Sequence, residues 1–340
     1  MSQTINGPKQ KRSTWLFRLL GLVLLGILLA RLDIAQVRAI LRQADGRLVA
    51  LSVLAVIPLI FVKTIRWRGI LRAQMIDYSL YPAFLSYFGS LFIGFLTPGR
   101  LGEFVKALHV SRDRNVPLAL SFTSVLADRL FDLYALLLVG LAALFTLTAG
   151  PARFITLLGL LGLTLSLVVL LNNTLFGWLQ QLGLRLGQVG QKLFGPENWL
   201  LQIRAGLRQL RGHRLWLAIG LTIVAYLIFF GQCYLLALAL DLPIDFLTVS
   251  YAIALGSLVT LLPLSISGLG TREATIMAYL STLGISAEAG LSFSLLVFAT
   301  FYLGGGLMGA VAWWLKPAPL AGLQKALRTQ VLATGIQNGD

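Results

Sequence analysis

Two short stretches decide what this chain can fold into. In residues 95–106 the charged Arg100, Glu103 and Lys106 interrupt an otherwise apolar sequence, and Pro98, Gly99 and Gly102 lie among them. An uncompensated charge at membrane depth costs about 2.5 kcal/mol or more, so each must pair or face a wet cavity. Proline removes a backbone donor and glycine frees the backbone, so the helix is expected to break there and bare polar backbone groups beside the charges. The same ingredients return at residues 263–273, where Pro263, Ser265, Gly268 and Gly270 precede Arg272 and Glu273. The pair reads as two halves of one site.

The class follows from the surroundings of those stretches. Of 340 residues, 57% are hydrophobic and only 12% charged, which is outside the range of soluble domains. Several apolar runs reach the ~20 residues a helix needs to span a bilayer core, and the alternating segments of outer-membrane barrels are missing. The expected class is all-α: a polytopic helical membrane protein of about six full spans with two re-entrant helical hairpins in an inverted repeat. A net charge of +15 would suggest nucleic acid in a soluble protein, but here most basic residues flank apolar spans. Membrane lipids with anionic head groups are therefore the expected partners, and nucleic acid is not. One cysteine, Cys233, permits no intramolecular disulfide, and His109 and His213 lack a ligand pattern, so neither metal nor cofactor is expected. No phosphate loop, dinucleotide fingerprint, zinc-protease motif or nucleophile elbow occurs, and the chain reads as a non-enzyme.

Taken in order, residues 1–14 form a basic leader that holds the N-terminus in the cytoplasm. The transmembrane domain is expected over 15–315, in halves 15–171 and 215–315 joined by an amphipathic segment, 175–214, with 316–340 as a cytoplasmic tail. The first half comprises a span at 15–32, a short interfacial helix at 33–47, a span at 48–62, a hairpin broken at 97–102, a long span at 116–148 and another at 154–171. Arg66, Trp67 and Arg68, after the second span, read as a cationic and aromatic anchor at the cytoplasmic interface, with lipid-phosphate contact as the functional version. In the linker, after a break at Pro196, Leu200, Ile203, Leu207 and Leu210 share a helix face with Arg204, Arg208 and Arg211 beside it, a pattern suited to an anionic membrane surface. The second half has a span at 215–240, a hairpin beginning at 246 and broken at 268–273, and a final span at 289–315 whose Gly304, Gly305, Gly306 and Gly309 allow close helix packing. With both termini inside, about 20 of the 28 basic residues fall on the cytoplasmic side.

Four of the 13 acidic residues, Glu103, Asp128, Asp132 and Glu273, lie within or beside apolar helices. Asp128 and Asp132 share a helix face, and Arg129 can pair with Asp132 three residues on. One reading is a buried ion-pair network that locks the hairpins against the long span. The other is a midplane site for an anionic group, held by Arg100, Arg272 and helix-start amides, with Glu103, Asp128, Arg129 and Glu273 around it and Lys106 nearer the cytoplasmic mouth. A guanidinium suits phosphate because its fork of donors holds two oxygens at once.

Arg66-Trp67, Pro98-Gly-Arg-Leu-Gly-Glu103 with Lys106, Asp128-Arg-Leu-Phe-Asp132 and Pro263-x-Ser265-x-x-Gly268-x-Gly270-x-Arg272-Glu273 together resemble the lysylphosphatidylglycerol synthase transmembrane-region family of flippase-like membrane proteins, over roughly residues 10–315. The resemblance implies movement of a lipid across the cytoplasmic membrane. Only residues 316–340 follow the last expected span, too few for the soluble aminoacyl-transferase domain of two-domain members, so lysyl transfer is not implied. The expected function is a translocase of a phospholipid or other anionic or isoprenoid lipid between leaflets of the cytoplasmic membrane, whose substrate phosphate engages Arg100 or Arg272 while its acyl chains stay in the bilayer. The alternatives are a secondary transporter of a small anion, and a non-transporting membrane subunit beside a lipid-modifying enzyme partner.

Overall fold

The computed structural model describes residues 32–146, 151–184, 199–261 and 268–317, together with positions 26 and 30. All regular structure among them is helical. The expected span at 15–32 falls almost wholly outside the described residues, as do Pro196, Pro263 and Ser265. The interfacial helix is present as α1 (Ile34–Gln43), capped by Asp33, whose side chain accepts from the Ala35 and Gln36 amides at 2.8 and 3.2 Å.

Next, α2 (Gly46–Leu54) and α3 (Val56–Ala73) form one apolar rod, Gly46–Ala73, of 28 residues. This corrects the expected end of the second span at residue 62. The helix carries Lys63, Arg66 and Trp67 within its length because each finds a partner inside the bundle.

The first hairpin consists of α4 (Leu80–Phe95), a 3-10 segment (Pro98–Phe104) and α5 (Val105–Arg114). Thr97 holds the break together: its hydroxyl accepts from the Gly102 amide at 2.7 Å and donates to the Gly94 carbonyl at 3.1 Å. Arg100 adopts a left-handed backbone at φ 56°, a conformation that costs a non-glycine residue roughly 1–3 kcal/mol. The Tyr78 hydroxyl donates to Asp113 Oδ2 at 2.7 Å, which brings the start of α4 beside the end of α5, so the chain turns back on itself. Lys316 joins the same carboxylate. Burial pushes the Asp113 carboxyl up, but its hydrogen bonds from Lys316 and Tyr78 outweigh this and hold it below the usual carboxylate range.

The long helix α6 (Leu118–Thr146) matches expectation, and α7 (Pro151–Leu171) follows. The chain then bends by 91° into α8 (Asn173–Leu184), with Asn172 Oδ1 accepting from the Thr174 amide at 2.9 Å. Beyond lies α9 (Trp199–Arg208). Part of the face expected to lie on lipid turns inward: Leu207 is buried with Ile70 and Ala127, and Leu210 packs against them. Arg204 donates to the Leu170 carbonyl at 2.8 Å and to Asn173 Oδ1 at 2.7 Å, so it caps the end of α7, where orphan carbonyls need donors.

The second half contains α10 (His213–Ala239), α11 (Phe246–Leu261), α12 (Thr271–Ser281), α13 (Ala287–Phe298), a π-helical segment (Ala299–Gly304) and α14 (Gly305–Leu315). Among the described residues, four helices are long and apolar enough to cross a membrane: Gly46–Ala73, Leu118–Thr146, His213–Ala239 and Ala287–Leu315. The bent pair at 157–171 and 173–182 makes a fifth if counted as one span.

Packing between the halves is reciprocal. α3 lies on α10, α4 lies along α14, and α11 lies along α6, so the first helix of each hairpin rests on the long helix that follows the other hairpin. Glycine makes both approaches close. A Cβ on Gly309 would stand 2.7 Å from the Phe88 carbonyl oxygen, and one on Gly140 would stand 2.7 Å from Leu258 Cδ1. At the first hairpin break a Cβ on Gly102 would lie 2.5 Å from the carbonyl carbon and oxygen of Ile93, which are backbone and cannot yield cheaply. Gly102→Ala is therefore expected to destabilise the protein by about 1–3 kcal/mol. Gly162→Ala, on an exposed helix face with nothing within 4 Å, should be neutral or stabilising by up to about 1 kcal/mol. Melting temperatures of the two variants in detergent check both signs.

Candidate functional site

The buried charges of the first half form one network. Arg66, on α3, reaches α6 and α10 together: its Nε donates to Asp128 Oδ1 at 2.9 Å, one terminal nitrogen to Asp132 Oδ1 at 2.9 Å, and the other to Thr222 Oγ1 at 3.0 Å. Lys106, from α5, donates to Asp128 Oδ2 at 2.7 Å and lies 3.6 Å from the centroid of the Tyr87 ring, whose hydroxyl also donates to Asp128 at 2.9 Å. Lys63 pairs with Asp132 at 3.0 Å. Arg129 pairs with Glu103 at the hairpin break and stands 3.8 Å from Asp132. Arg66, Lys106, Glu103 and Asp128 are all buried. Four cations, Lys63, Arg66, Lys106 and Arg129, thus meet three carboxylates, Glu103, Asp128 and Asp132, leaving one positive charge in excess.

Beside this network lies a cavity of about 330 Å³. Its wall includes Lys63, Arg100, Arg129 and Arg272 against Glu103 and Asp132, four cations to two carboxylates, with Tyr87, Tyr226 and apolar residues between. Arg100 comes from the first hairpin break and Arg272 from the second, so the two stretches set apart in sequence meet at one space. Glu103 Oε1 is buried without a hydrogen-bond partner among the described residues.

The remaining site residues sort by position. Lys106 and Asp128 are buried behind the cavity wall, so Lys106 occupies the interior rather than a cytoplasmic mouth. Arg129 does face Asp132 at the expected three-residue spacing, but its tighter partner is Glu103. Glu273 pairs with Arg272 and accepts from the Gly270 amide at 2.6 Å, which ties it to the start of its own helix. Gly268 and Gly270 take φ of 75° and 83°, a left-handed backbone at the expected break, and Pro98, Gly99 and Gly102 lie in the 3-10 segment. The interface-anchor reading of Arg66 and Trp67 is corrected. Arg66 is 1% exposed, and Trp67, fully buried, donates from Nε1 to Ser124 Oγ at 3.0 Å, so neither can meet a lipid phosphate. Arg68 donates to the Tyr78 carbonyl at 2.6 Å. Tyr87, Thr222 and Tyr226 were not singled out from sequence, and Lys63 was read only with the Arg66 anchor. The sequence signal for Lys63 is its three-residue spacing from Arg66, which puts both cations on one helix face.

These helices and their buried charged centre define a polytopic membrane protein built around internal ion pairs. The chain belongs to the family described as lysylphosphatidylglycerol synthase TM region, whose family model matches residues 15–309. It is 28% identical over 313 residues to glycosyltransferase AglD of Haloferax volcanii, a match covering 78% of this chain and 48% of the relative. The chain thus spans about half the length of that relative. It is also 24% identical over 226 residues to UPF0104 membrane protein MJ1078 of Methanocaldococcus jannaschii, covering 66% of this chain and 94% of that protein. No solved structure matches.

Removing one member of a buried ion pair leaves the other charge stranded, at a cost of about 3–5 kcal/mol. Arg66→Ala should therefore destabilise the protein by that amount. Lys63→Ala should cost less, because the Lys63 side chain is 16% exposed towards the cavity and Asp132 keeps Arg66. Denaturant or thermal unfolding of the detergent-solubilised variants measures the difference.

Proposed function

We propose that this protein is a lipid translocase that moves a phospholipid or other anionic lipid between leaflets of the cytoplasmic membrane. The observation that carries this reading is the cavity wall, where Arg100 and Arg272 from two broken hairpins join Lys63 and Arg129, four cations against three carboxylates when the Glu273 paired with Arg272 is counted beside Glu103 and Asp132. An excess of donors in a largely apolar space suits a phosphate head group, which a guanidinium can hold through two oxygens. The Arg129–Glu103 pair supplies a reversible gate: a phosphate can take the place of the carboxylate on Arg129. In this reading the six spans and two re-entrant hairpins form an inverted repeat, with both termini in the cytoplasm. The reciprocal seating of α4 on α14 and α11 on α6 supports it, because related halves must pack in matching ways. Rocking of one half against the other would open the cavity to alternate leaflets. The chain acts as a transporter and not as an enzyme.

A second reading, a membrane subunit that serves a lipid-modifying enzyme, is favoured by one observation: the relative named as a glycosyltransferase is about twice as long as its matched portion. Reconstitution separates the two. Purified protein in liposomes with a head-group-labelled phosphatidylglycerol should make lipid in the inner leaflet accessible to an external quencher. Arg129→Ala and Arg272→Ala should slow this at least tenfold, since a hydrogen bond to a charged group is worth about 1.5–3 kcal/mol. Wild-type rates in folded variants would rule out the site, and no translocation by the wild type would favour the subunit reading.

A further inference from the structure

A second space adjoins the charged cavity and has the opposite chemistry. It is a groove of about 760 Å³ between α6, α10 and α11, and no charged side chain is among its lining residues. On α6 the wall runs from Phe131 to Ala142, and on α10 from Ile219 to Phe230. Each is eleven residue steps of helix, so the groove is about 16 Å long. Apart from the Tyr251 hydroxyl, the polar groups in its wall are already committed. The Thr222 hydroxyl donates to the Ala218 carbonyl and accepts from Arg66, Ser250 donates to the Phe246 carbonyl, and Tyr134 donates to Thr164. Tyr226 donates to the Asp132 carbonyl at 3.0 Å. What the groove offers an occupant is hydrocarbon surface, so recognition there is of an apolar chain and not of a head group.

The groove and the cavity share one wall. Tyr226 lines both, with Lys63 over its ring at 5.2 Å, and Thr222 binds the same Arg66 that holds Asp128 and Asp132. The α6 wall begins one residue before Asp132 and leads away from the charge level towards the turn between α10 and α11. A molecule with an anionic end in the cavity therefore finds, on the far side of one tyrosine, a long slot suited only to a tail. We propose that this groove holds one hydrocarbon chain of the membrane lipid whose head group occupies the charged cavity, with Tyr226 as the partition between the two. The proposal rests on the translocase reading and departs from the expectation that the acyl chains stay in the bilayer. One chain travels in this outward-opening groove, lined by the exposed Leu138, Ile223, Leu227 and Leu247, and the site selects its substrate by tail as well as by head.

The test uses the full chain in liposomes containing phosphatidylglycerol with a diazirine on one acyl chain, followed by illumination and peptide mass spectrometry. Adducts should be enriched at least fivefold on Leu138, Leu227 and Leu247, in the groove and 56%, 56% and 55% exposed, over the comparably exposed Leu161 and Leu307, at 60% and 69% on the outer faces of α7 and α14. Ala135→Phe, at a position that lines the groove and not the charged cavity, should abolish that enrichment and slow translocation several-fold. Ala142→Phe serves the same purpose if the first variant does not fold. Equal labelling of groove and outer positions, or enrichment unchanged in both filled variants, would overturn the proposal. Specific groove labelling without any translocation would overturn the transport reading and leave the chain site standing. Translocation without groove labelling would do the reverse.

Discussion

The structure depends on Arg66 being held between Asp128 and Asp132. A guanidinium in the middle of an apolar rod cannot remain ionised in hydrocarbon without partners, and here both carboxylates sit one turn apart on α6 to receive it. The same two carboxylates take Lys106 from α5, Lys63 from α3 and the Tyr87 hydroxyl from α4. Thr222 extends the network to α10. Five elements are therefore fixed relative to one another by groups that each need the others present. Such pairs need not stabilise the fold beyond what apolar residues would contribute, but they tolerate few alternative arrangements, because each one would strand a charge.

The network consumes most of its own charge, and the cavity beside it receives the remainder. The two hairpins share glycines, an arginine and a glutamate, yet they are connected differently. Glu103 crosses to Arg129 on another helix, whereas Glu273 pairs with its sequence neighbour and caps its own helix. The first hairpin is thus tied into the bundle through a side-chain pair between elements, while the second relies on close packing of Gly256 and Gly268 against Arg272, Ile276 and Thr260. Similar motifs reach one space by unlike routes, which gives the cavity one wall held by ion pairs and one held by backbone contact.

Much of this was legible in one dimension. The helix breaks at the two glycine-rich stretches, the long helix carrying Asp128 and Asp132 and the glycine-lined last helix all arise from local causes: apolar length, proline and glycine backbone, and the spacing of residues on a helix face. The meeting of Arg100 and Arg272 was anticipated because the two breaks share their ingredients. The role of Arg66 was not. A cation followed by tryptophan at the end of an apolar run looks the same whether it anchors at an interface or penetrates the core, and its partner Asp128 is 62 residues away. The amphipathic α9 poses the same ambiguity, since an apolar face beside arginines suits a lipid surface or a protein surface equally well.

The sequence by itself determined a helical membrane protein with charges set into two broken hairpins, because hydropathy and backbone chemistry act over a few residues. Only the tertiary structure decided which charge meets which, that Lys106 and Asp128 lie behind the cavity while Lys63 and Arg129 face it, and that an apolar groove runs alongside. Those outcomes depend on which helix faces come together in the folded bundle. Each face offers several partners of the right sign, and long-range packing selects among them.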